Sequence, residues 1–276
     1  MAIKLIVMDM DGTLLDDDHA TVPARNVTAL RAAREKGAKL ALASGRTWSI
    51  LRDVVGQLGG VDYAILANGA AIRDAATGEH IYENGFPNPQ AVALIRGLCR
   101  EDLPFEVYCH GQNYLRPEDA DRLGEGLLSP RFAEMYLKRG VELVPDLAAA
   151  LEGRPMEKIN LFYAPPERQE ALRAMARATG PVEISNALER NMEFNFGGVS
   201  KGEALAFLAA HLGLAPEEVM AFGDANNDLT MLSWAGWSFA MANAMESVKK
   251  IAKYQTASNH EAGVGQAVEK YILDQE

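Results

Sequence analysis

Apolar runs alternate with helix-like segments along the first part of the chain. In chain order, three β-rich runs and two helix-like segments are predicted at Ile3–Met8, Pro23–Lys36, Ala38–Ala43, Thr47–Leu58 and Tyr63–Ala67. The first helix-like segment begins with proline and is followed by glycine, which is typical of helix ends. This β-α-β-α-β order predicts parallel strands with right-handed crossovers, and ligands bind beyond the carboxyl ends of such strands.

The pattern changes near Asn84, where prolines and glycines interrupt shorter elements. The runs Glu106–His110 and Gln112–Leu115 indicate a hairpin around Gly111. Further elements follow: a strand at Glu157–Tyr163, a helix at Pro166–Ala178, and strands at Val182–Ile184 and Asn191–Phe196. Strands and helices do not alternate regularly here, as they would in a parallel sheet, so we interpret this section as an inserted α+β domain.

The α/β rhythm returns from Ser200, which is predicted to cap a helix running to about Leu212, with Glu203 completing a capping box. Alternating strands and helices then follow at Glu218–Phe222, Asn226–Trp234, Trp237–Ala240 and Ala244–Lys253, and Gly263–Leu273 closes the chain. One sheet domain is therefore predicted from both ends of the chain, interrupted by the middle domain.

The composition of the chain indicates what kind of protein it is and which partners are disfavoured. Its 276 residues are 48% hydrophobic and 24% charged, which is ordinary for a globular protein with a sizeable core. The net charge of −11 disfavours nucleic acid polymers and anionic membranes as partners. The chain shows no apolar run of ~18–20 residues and no signal peptide, and it has only two cysteines, Cys99 and Cys109. These features predict a cytoplasmic protein whose cysteines are packing residues.

Two polar clusters follow the first two predicted strands. Asp9-Met10-Asp11-Gly12-Thr13 places two carboxylates two residues apart, followed by a Gly-Thr pair that permits a tight turn with an exposed hydroxyl and amides. A solvated turn with a capping aspartate would have the same pattern. Ser44 and Gly45 open a helix after the second strand, where backbone amides form a phosphate site or a plain N-cap.

Two further clusters open helices in the last part of the chain. Lys201 lies in a first helical turn, where a cation opposes the helix dipole. This cost suggests a role for the charge, although an exposed, solvated lysine is the alternative. The run from Asp224 through Asn226 and Asn227 to Asp228 supplies the oxygen ligands that Mg²⁺ prefers, although a capping aspartate followed by solvated residues is the alternative.

In this order, the four clusters resemble the haloacid dehalogenase-like superfamily of phosphotransferases. The matching residues are Asp9 and Asp11 in DMDGT, Ser44 in ASGR, Lys201 in SKG, and Asp224 and Asp228 in GDANND. The long interval between Ser44 and Lys201 is similar to a C2-type cap insertion. The chain length and the last two motifs resemble the Cof-type subfamily with a IIB cap. Ala242 departs from that subfamily, which more often has glycine there.

The resemblance implies an α/β fold: a Rossmann-like, doubly wound parallel sheet core with an inserted α+β cap domain. The core would comprise residues 1–84 and 196–276, and the cap residues 85–195. The implied activity is that of a Mg²⁺-dependent phosphatase for a small-molecule phosphomonoester, such as a sugar, nucleotide or cofactor phosphate. Neither the individual substrate nor the oligomeric state is predicted.

The resemblance also implies residue roles. Asp9 would attack phosphorus and form an aspartyl-phosphate, while Asp11 would protonate the leaving alkoxide and later take a proton from water. Mg²⁺ would be bound by Asp9, Asp224 and the backbone carbonyl of Asp11, with Asp228 binding it directly or supporting its ligands. The phosphate oxygens would be bound by Gly12, Ser44, Gly45, Lys201 and Asn227.

Two other functions share this scaffold. A phosphomutase would need a second phosphate site in the cap, and the sequence shows no basic cluster there. A catalytically silent binding protein would not need the competent residues that all four motifs retain. An ATPase of the P-type lacks an acid at the position of Asp11, and a receiver domain has no room for a cap.

Several other polar residues are given little functional weight. Asp16, Asp17 and Asp18 are interpreted as a solvated loop, and His110 as an exposed loop histidine. Arg46 follows the predicted phosphate site, and two interpretations stay open for its side chain: contact with the substrate or contact with the cap.

Overall fold

The computed structural model describes residues 3–123, 133, 136–138, 140–186 and 191–274. The chain divides into two compact units. The core unit comprises Met1–Gly45, Leu51–Tyr82 and Ser200–Glu276, and the inserted unit comprises Arg46–Ile50 and Glu83–Val199. Parts of the predicted cap, residues 124–132 and 187–190, lie outside the described residues.

The strands, in chain order, are β1 (Leu5–Met8), β2 (Lys39–Ala43), β3 (Tyr63–Leu66), β4 (Ala71–Asp74), β5 (His80–Glu83), β6 (Phe105–Cys109), β7 (Gln112–Leu115), β8 (Val141–Leu143), β9 (Met156–Leu161), β10 (Val182–Ser185), β11 (Met192–Phe196), β12 (Val219–Gly223), β13 (Trp237–Ala240) and β14 (Tyr254–Gln255).

The α-helices, in chain order, are α1 (Ala24–Glu35), α2 (Trp48–Leu58), α3 (Asn88–Arg100), α4 (Pro117–Arg122), α5 (Leu147–Ala150), α6 (Gln169–Ala178), α7 (Lys201–His211), α8 (Leu229–Trp234), α9 (Glu246–Ile251) and α10 (Gly263–Val268). Among these described helices, none has the length and apolar character needed to cross a bilayer.

The core sheet has the strand order β14-β13-β12-β1-β2-β3-β4-β5. The strands from β14 to β3 run parallel, and β4 pairs antiparallel with β3. β1 lies in the centre, where Leu5 pairs with Val219 on one side and Lys39 on the other. All four residues of β1 are buried, which explains its continuous apolar sequence. The predicted α/β fold with a parallel-rich central sheet is confirmed.

The sheet of the inserted unit has the order β10-β11-β9-β6-β7-β8, with antiparallel neighbours except for the parallel pair β7–β8. Residues such as Phe105, Val107 and Ile159 join a hydrophobic cluster that includes residues of α3 and α6. The alternating positions carry buried polar side chains, among them Glu106 and Lys158. This alternation is the expected pattern of a sheet with two chemically different faces.

The structure also differs from the predicted elements. β4, β5, α3 and β14 were not predicted. Pro87 and Pro89 interrupt no element, because they lie at the start of α3, where proline is tolerated. The predicted helix at Asn226–Trp234 begins as a tight 3₁₀ turn and becomes α-helical only at Leu229.

Candidate active site

The site residues of the core unit follow neighbouring parallel strands. The backbone N–H of Asp9, which directly follows β1, donates to the carbonyl of Phe222 in β12 at 3.1 Å. The N–H of Ser44, which follows β2, donates to the carbonyl of Ile65 in β3 at 2.9 Å. The loops after these strands therefore leave the sheet at one edge, where a doubly wound sheet binds its ligands.

Lys201 connects two of the predicted carboxylates. Its side chain is fully buried, and Nζ donates to Oδ1 of Asp9 and, at 2.7 Å, to Oδ1 of Asp228. Ser200 caps α7 by accepting from the N–H of Glu203 at 3.2 Å, which fixes the helix end that presents Lys201. A buried ammonium between two carboxylates is a strong charge-assisted contact.

Asp228 is held from both sides. Its Oδ2 accepts from the backbone N–H groups of Asp224 at 3.0 Å and Ala225 at 3.1 Å, while its Oδ1 accepts from Lys201. Both carboxylate oxygens therefore have protein donors. This arrangement fixes the loop that carries Asp224 as well as the position of the lysine.

Asp224 approaches the turn after β1. Its Oδ1 accepts from the buried hydroxyl of Thr13 at 2.7 Å. Gly12 has φ +80°, and a Cβ atom on it would lie 2.5 Å from Oδ2 of Asp224. Glycine is thus required for both the left-handed backbone and the close approach of the carboxyl.

Burial and charge act on the ionisation of these groups. Burial, together with the nearby charges of Asp228 and Asp224, raises the pKa of Asp9 well above its usual value despite the opposing effect of Lys201. Burial also raises the pKa of Asp224 to about 6. Burial opposes the charged form of Lys201, but Asp228 and Asp9 outweigh it, so the pKa of the lysine rises. The cluster holds more acidic groups than its one lysine neutralises.

The donor set fits a divalent cation. Asp9, Asp224 and Asp228 each bring a carboxylate oxygen to within 4.8 Å of the others. Hard cations such as Mg²⁺ take oxygen ligands of this kind. Burial and the neighbouring carboxylates raise the pKa values of Asp9 and Asp224, and a bound cation would favour the ionised form of both groups.

The predicted phosphate seat is built around a second turn. Ser44 is buried, and its carbonyl accepts from the N–H of Asn68 at 2.9 Å. Asn68 has a left-handed backbone with φ 63°, and its Oδ1 accepts from the side-chain amide of Asn227 at 3.4 Å. The Asn68 turn thus links Ser44 to the loop of Asn227, while Gly45 follows Ser44 in a partly exposed position.

Asp11 is more exposed than the carboxylates that contact Lys201. Its side chain is 40% exposed, and its Oδ1 lies 3.1 Å from Nδ1 of His19. The sequence indicated a functional role for Asp11, but nothing in it connected this residue with the histidine eight positions later.

Sequence reasoning missed other contributors to the site. The hydroxyl of Thr13 was expected to be exposed, which is wrong, because it is buried against Asp224. Asn243 donates to the carbonyl of Gly12 at 2.7 Å and accepts from the N–H of Asn259 at 3.1 Å. Asn68 was not considered. A single asparagine carries no motif, so no sequence signal distinguished Asn68 from a loop residue.

The residues given little weight have varied surroundings. Asp17 and Asp18 are exposed, but Asp18 is part of an ordered hydrogen-bonded turn, so the interpretation as a merely solvated loop is incomplete. Arg46 and His110 belong to the inserted unit, and the His110 side chain is exposed. Cys109 packs in a hydrophobic cluster as expected, whereas Cys99 is exposed.

Comparison with known proteins gives consistent matches along nearly the whole chain. The sequence profile of the haloacid dehalogenase-like hydrolases matches residues 6–268. The 5-amino-6-(5-phospho-D-ribitylamino)uracil phosphatase YcsE of Bacillus subtilis is 30% identical, over 98% of this chain and 96% of its own.

Solved structures extend the likeness to the fold. A haloacid dehalogenase-like hydrolase from B. subtilis superposes with a TM-score of 0.84 at 28% identity, covering 98% of this chain and 100% of that one. A sugar phosphatase of HAD subclass IIB superposes with a TM-score of 0.79 at 22% identity, covering 97% of this chain and 98% of that one. The latter likeness concerns the fold alone.

Proposed function

Because this chain belongs to the haloacid dehalogenase-like hydrolase family, we propose that it is a Mg²⁺-dependent phosphatase in which Asp9 is the nucleophile and Asp11 the general acid and base. The chain is a phosphoric monoester hydrolase that acts on small phosphorylated compounds, as its phosphatase relatives do. Enzymes of this family generally use a metal ion. Magnesium and the residue roles are the proposed part.

The contact of Lys201 with Asp9 carries the proposal. A carboxylate at the end of a central strand, held by a buried ammonium, is positioned for attack rather than for solvation. In the first step an Asp9 oxygen bonds to phosphorus, the ester P–O bond breaks, and the Asp11 carboxyl gives its proton to the leaving oxygen. In the second step water attacks the same phosphorus, Asp11 accepts a proton from it, and the Asp9 carboxylate leaves.

Asp9, Asp224 and the backbone carbonyl of Asp11 would bind Mg²⁺. The ion would offset the repulsion between a carboxylate and a phosphate, which is ~4 kcal/mol per pair of unit charges at 4 Å and an effective dielectric near 20. Thr13 directs the Asp224 carboxyl by a hydrogen bond, and Gly12 leaves room for that carboxyl because it has no side chain.

We assign Asp228 to the support of the site. Its two oxygens bind Lys201 and the amides of the loop that carries Asp224, so it fixes the lysine and a metal ligand together. Lys201 also supplies positive charge for a phosphate oxygen. The remaining phosphate oxygens would be bound by Ser44, Asn227 and the amides at Gly12 and Gly45.

The substrates we propose are sugar, nucleotide or cofactor-type phosphates. A relative at 30% identity is named for a phosphorylated ribitylamino-uracil, which combines a sugar alcohol chain with a heterocycle. That name belongs to the relative, and it places a small, polar, phosphorylated metabolite among the first compounds to assay here.

Phosphate release from a panel of phosphomonoesters, with Mg²⁺ and after chelation, tests the proposal. We expect turnover only with the metal, and an Asp9→Asn variant should lose it because an amide is a poor nucleophile. Turnover that persists in chelator would contradict the metal requirement, and full activity of Asp9→Asn would contradict the nucleophile. Formation of sugar phosphate isomers without phosphate release would instead indicate a mutase.

A further inference from the structure

The loop after the Asp11 turn is ordered by its own side chains. Oδ1 of Asp18 accepts from the N–H groups of Ala20 at 2.9 Å and Thr21 at 2.8 Å, and its Oδ2 accepts from the Thr21 hydroxyl. The N–H of Asp16 donates to the carbonyl of Thr21 at 2.9 Å, and the N–H of His19 donates to the carbonyl of Asp16 at 2.9 Å. The loop therefore closes on itself as a defined turn.

The same loop is attached to the body of the core unit. Oδ1 of Asp16 lies 2.8 Å from Nδ1 of His260, and Oδ1 of Asp17 accepts from the side-chain amide of Asn259 at 3.1 Å. Asn259 also donates to the carbonyl of Leu15 at 3.0 Å and is buried. The turn is thus fixed at its base as well as internally.

His19 occupies an unusual backbone conformation within this turn. Its φ is 54°, in the left-handed region, which costs a residue other than glycine roughly 1 kcal/mol. In this conformation the imidazole lies against Asp11, with Nδ1 3.1 Å from Oδ1. A carboxylate can only accept, so Nδ1 is the donor to the ionised form. Strain of this kind is often retained where it positions a functional group.

We propose that His19 is a positioning residue that orients the Asp11 carboxyl for proton transfer. This inference rests on the proposed role of Asp11 as general acid and base. Asp11 is partly exposed, so without this contact its carboxyl has more rotamer freedom than the buried Asp9 has. The role is geometric and does not require His19 itself to exchange a proton.

The exposure of the His19–Asp11 contact indicates that it orients the Asp11 carboxyl and adds little to the stability of the fold. The His19 side chain is 61% exposed and that of Asp11 40% exposed, and exposed charged contacts contribute little to folding. Proton transfer by a positioned acid contributes a large part of the rate, and it depends on the placement of the carboxyl. Removal of the contact should therefore change turnover more than stability.

Three variants, each assayed as full-length protein with saturating Mg²⁺ and the best panel substrate, test this role. His19→Ala removes the donor. His19→Asn keeps an N–H donor at the position of Nδ1, and asparagine accepts a left-handed backbone. His211→Ala is the matched control, because it removes an exposed histidine at the C-terminal end of α7, outside the loop that carries His19.

We expect His19→Ala to lower kcat by about fivefold to twentyfold with KM nearly unchanged, since only the proton-transfer step loses its orientation. His19→Asn should recover most of kcat, and His211→Ala should match the parent. Parental kcat in His19→Ala would overturn the inference. Equal losses in His19→Ala and His19→Asn would also overturn it, since they would point to proton exchange by the imidazole.

An Asp11→Asn variant separates this inference from the function on which it rests. If Asp11→Asn is inactive while His19→Ala is unchanged, the role of Asp11 stands and that of His19 fails. If Asp11→Asn retains full turnover, the assignment of the acid and base itself fails.

Discussion

The hydroxyl of Thr13 donates a 2.7 Å hydrogen bond to Oδ1 of Asp224, across a separation of 211 positions in the sequence. The bond joins the turn after β1 to the loop after β12, which are neighbouring strands of the core sheet. It directs a carboxyl that we assign to the metal, from a residue that is itself completely buried.

A Thr13→Val variant keeps the size of the side chain and removes this hydrogen bond. We expect about 10-fold more Mg²⁺ to be needed for half-maximal activity, because residues that orient a metal ligand typically affect affinity by about 10-fold to 100-fold. Titration of activity against Mg²⁺ measures the shift. Thr256→Val is the matched control, since its hydroxyl donates to the carbonyl of Gly263 elsewhere in the core unit. An unchanged Mg²⁺ requirement in Thr13→Val would refute the orienting role.

A Lys201→Met variant should destabilise the metal-free protein. The substitution leaves Asp9 and Asp228 buried together without their cation, and such a loss typically costs about 3 kcal/mol of unfolding free energy. Denaturant titration in chelator measures this change. Adding Asp228→Asn to Lys201→Met should restore part of the stability while the enzyme stays inactive. Parental stability of the single variant would mean that the buried charges are compensated in another way.

The pH dependence of stability should reveal the raised pKa of Asp224. Burial raises this pKa from 3.8 to about 6, so between these values the folded protein binds more protons at this carboxyl than the unfolded chain does. The contribution of this carboxyl to the unfolding free energy of the metal-free protein should therefore fall as pH rises towards 6, and the raised pKa of Asp9 acts in the same direction.

An Asp224→Asn variant should remove the part of this pH dependence that Asp224 contributes. In chelator we expect it to be more stable than the parent above pH ~6, with the difference shrinking as pH falls towards ~4. Added Mg²⁺ should reverse the order, because the parent gains a bound ion and the variant does not. Thermal unfolding across pH measures both effects, with Asp121→Asn, an exposed aspartate, as control. A parallel pH profile for parent and variant would contradict the assignment.

Glu106 should be a sensitive position in the inserted unit. Its buried carboxyl accepts from the hydroxyls of Tyr136 and Tyr108 and from the amides of Asn113 and Asn160. A Glu106→Gln variant places an N–H₂ group among these donors, so we expect a loss of about 2 kcal/mol of unfolding free energy. Glu142→Gln, on the exposed part of β8, should have no measurable effect. If Glu106→Gln and Glu142→Gln were equally stable, the Glu106 carboxyl would not be an essential acceptor for its buried donors.

The core of the fold was predictable because its signals are local and repeated. β1, β2, β3 and β12 are short apolar runs followed by polar residues, and parallel topology brings such strand ends to one edge. β4 and β5 escaped prediction because they are short and only partly buried, so they lack both a continuous apolar run and a clean alternation. Their addition to the edge of the sheet depends on contacts that sequence periodicity does not encode.

In the site, too, the features set by local sequence were predictable and those set by tertiary contacts were not. Carboxylates at strand ends and a lysine against the helix dipole can be found in the sequence, since each breaks a local rule. The burial of Thr13 and the left-handed backbone of His19 cannot, because each depends on what the turn packs against. For that reason the acidic run was interpreted as solvent-exposed loop, although it organises the turn that carries His19.

The central place of β1 has a consequence for synthesis on the ribosome. β1 emerges first, but one of its two neighbours, β12, emerges only after the whole inserted unit has been translated. Until then one edge of an entirely apolar strand has no partner, which is a typical hazard for aggregation of nascent chains. Lys201 and Asp224 also follow the inserted unit, so the nascent protein cannot acquire a working phosphatase centre before that unit and β12 have been made.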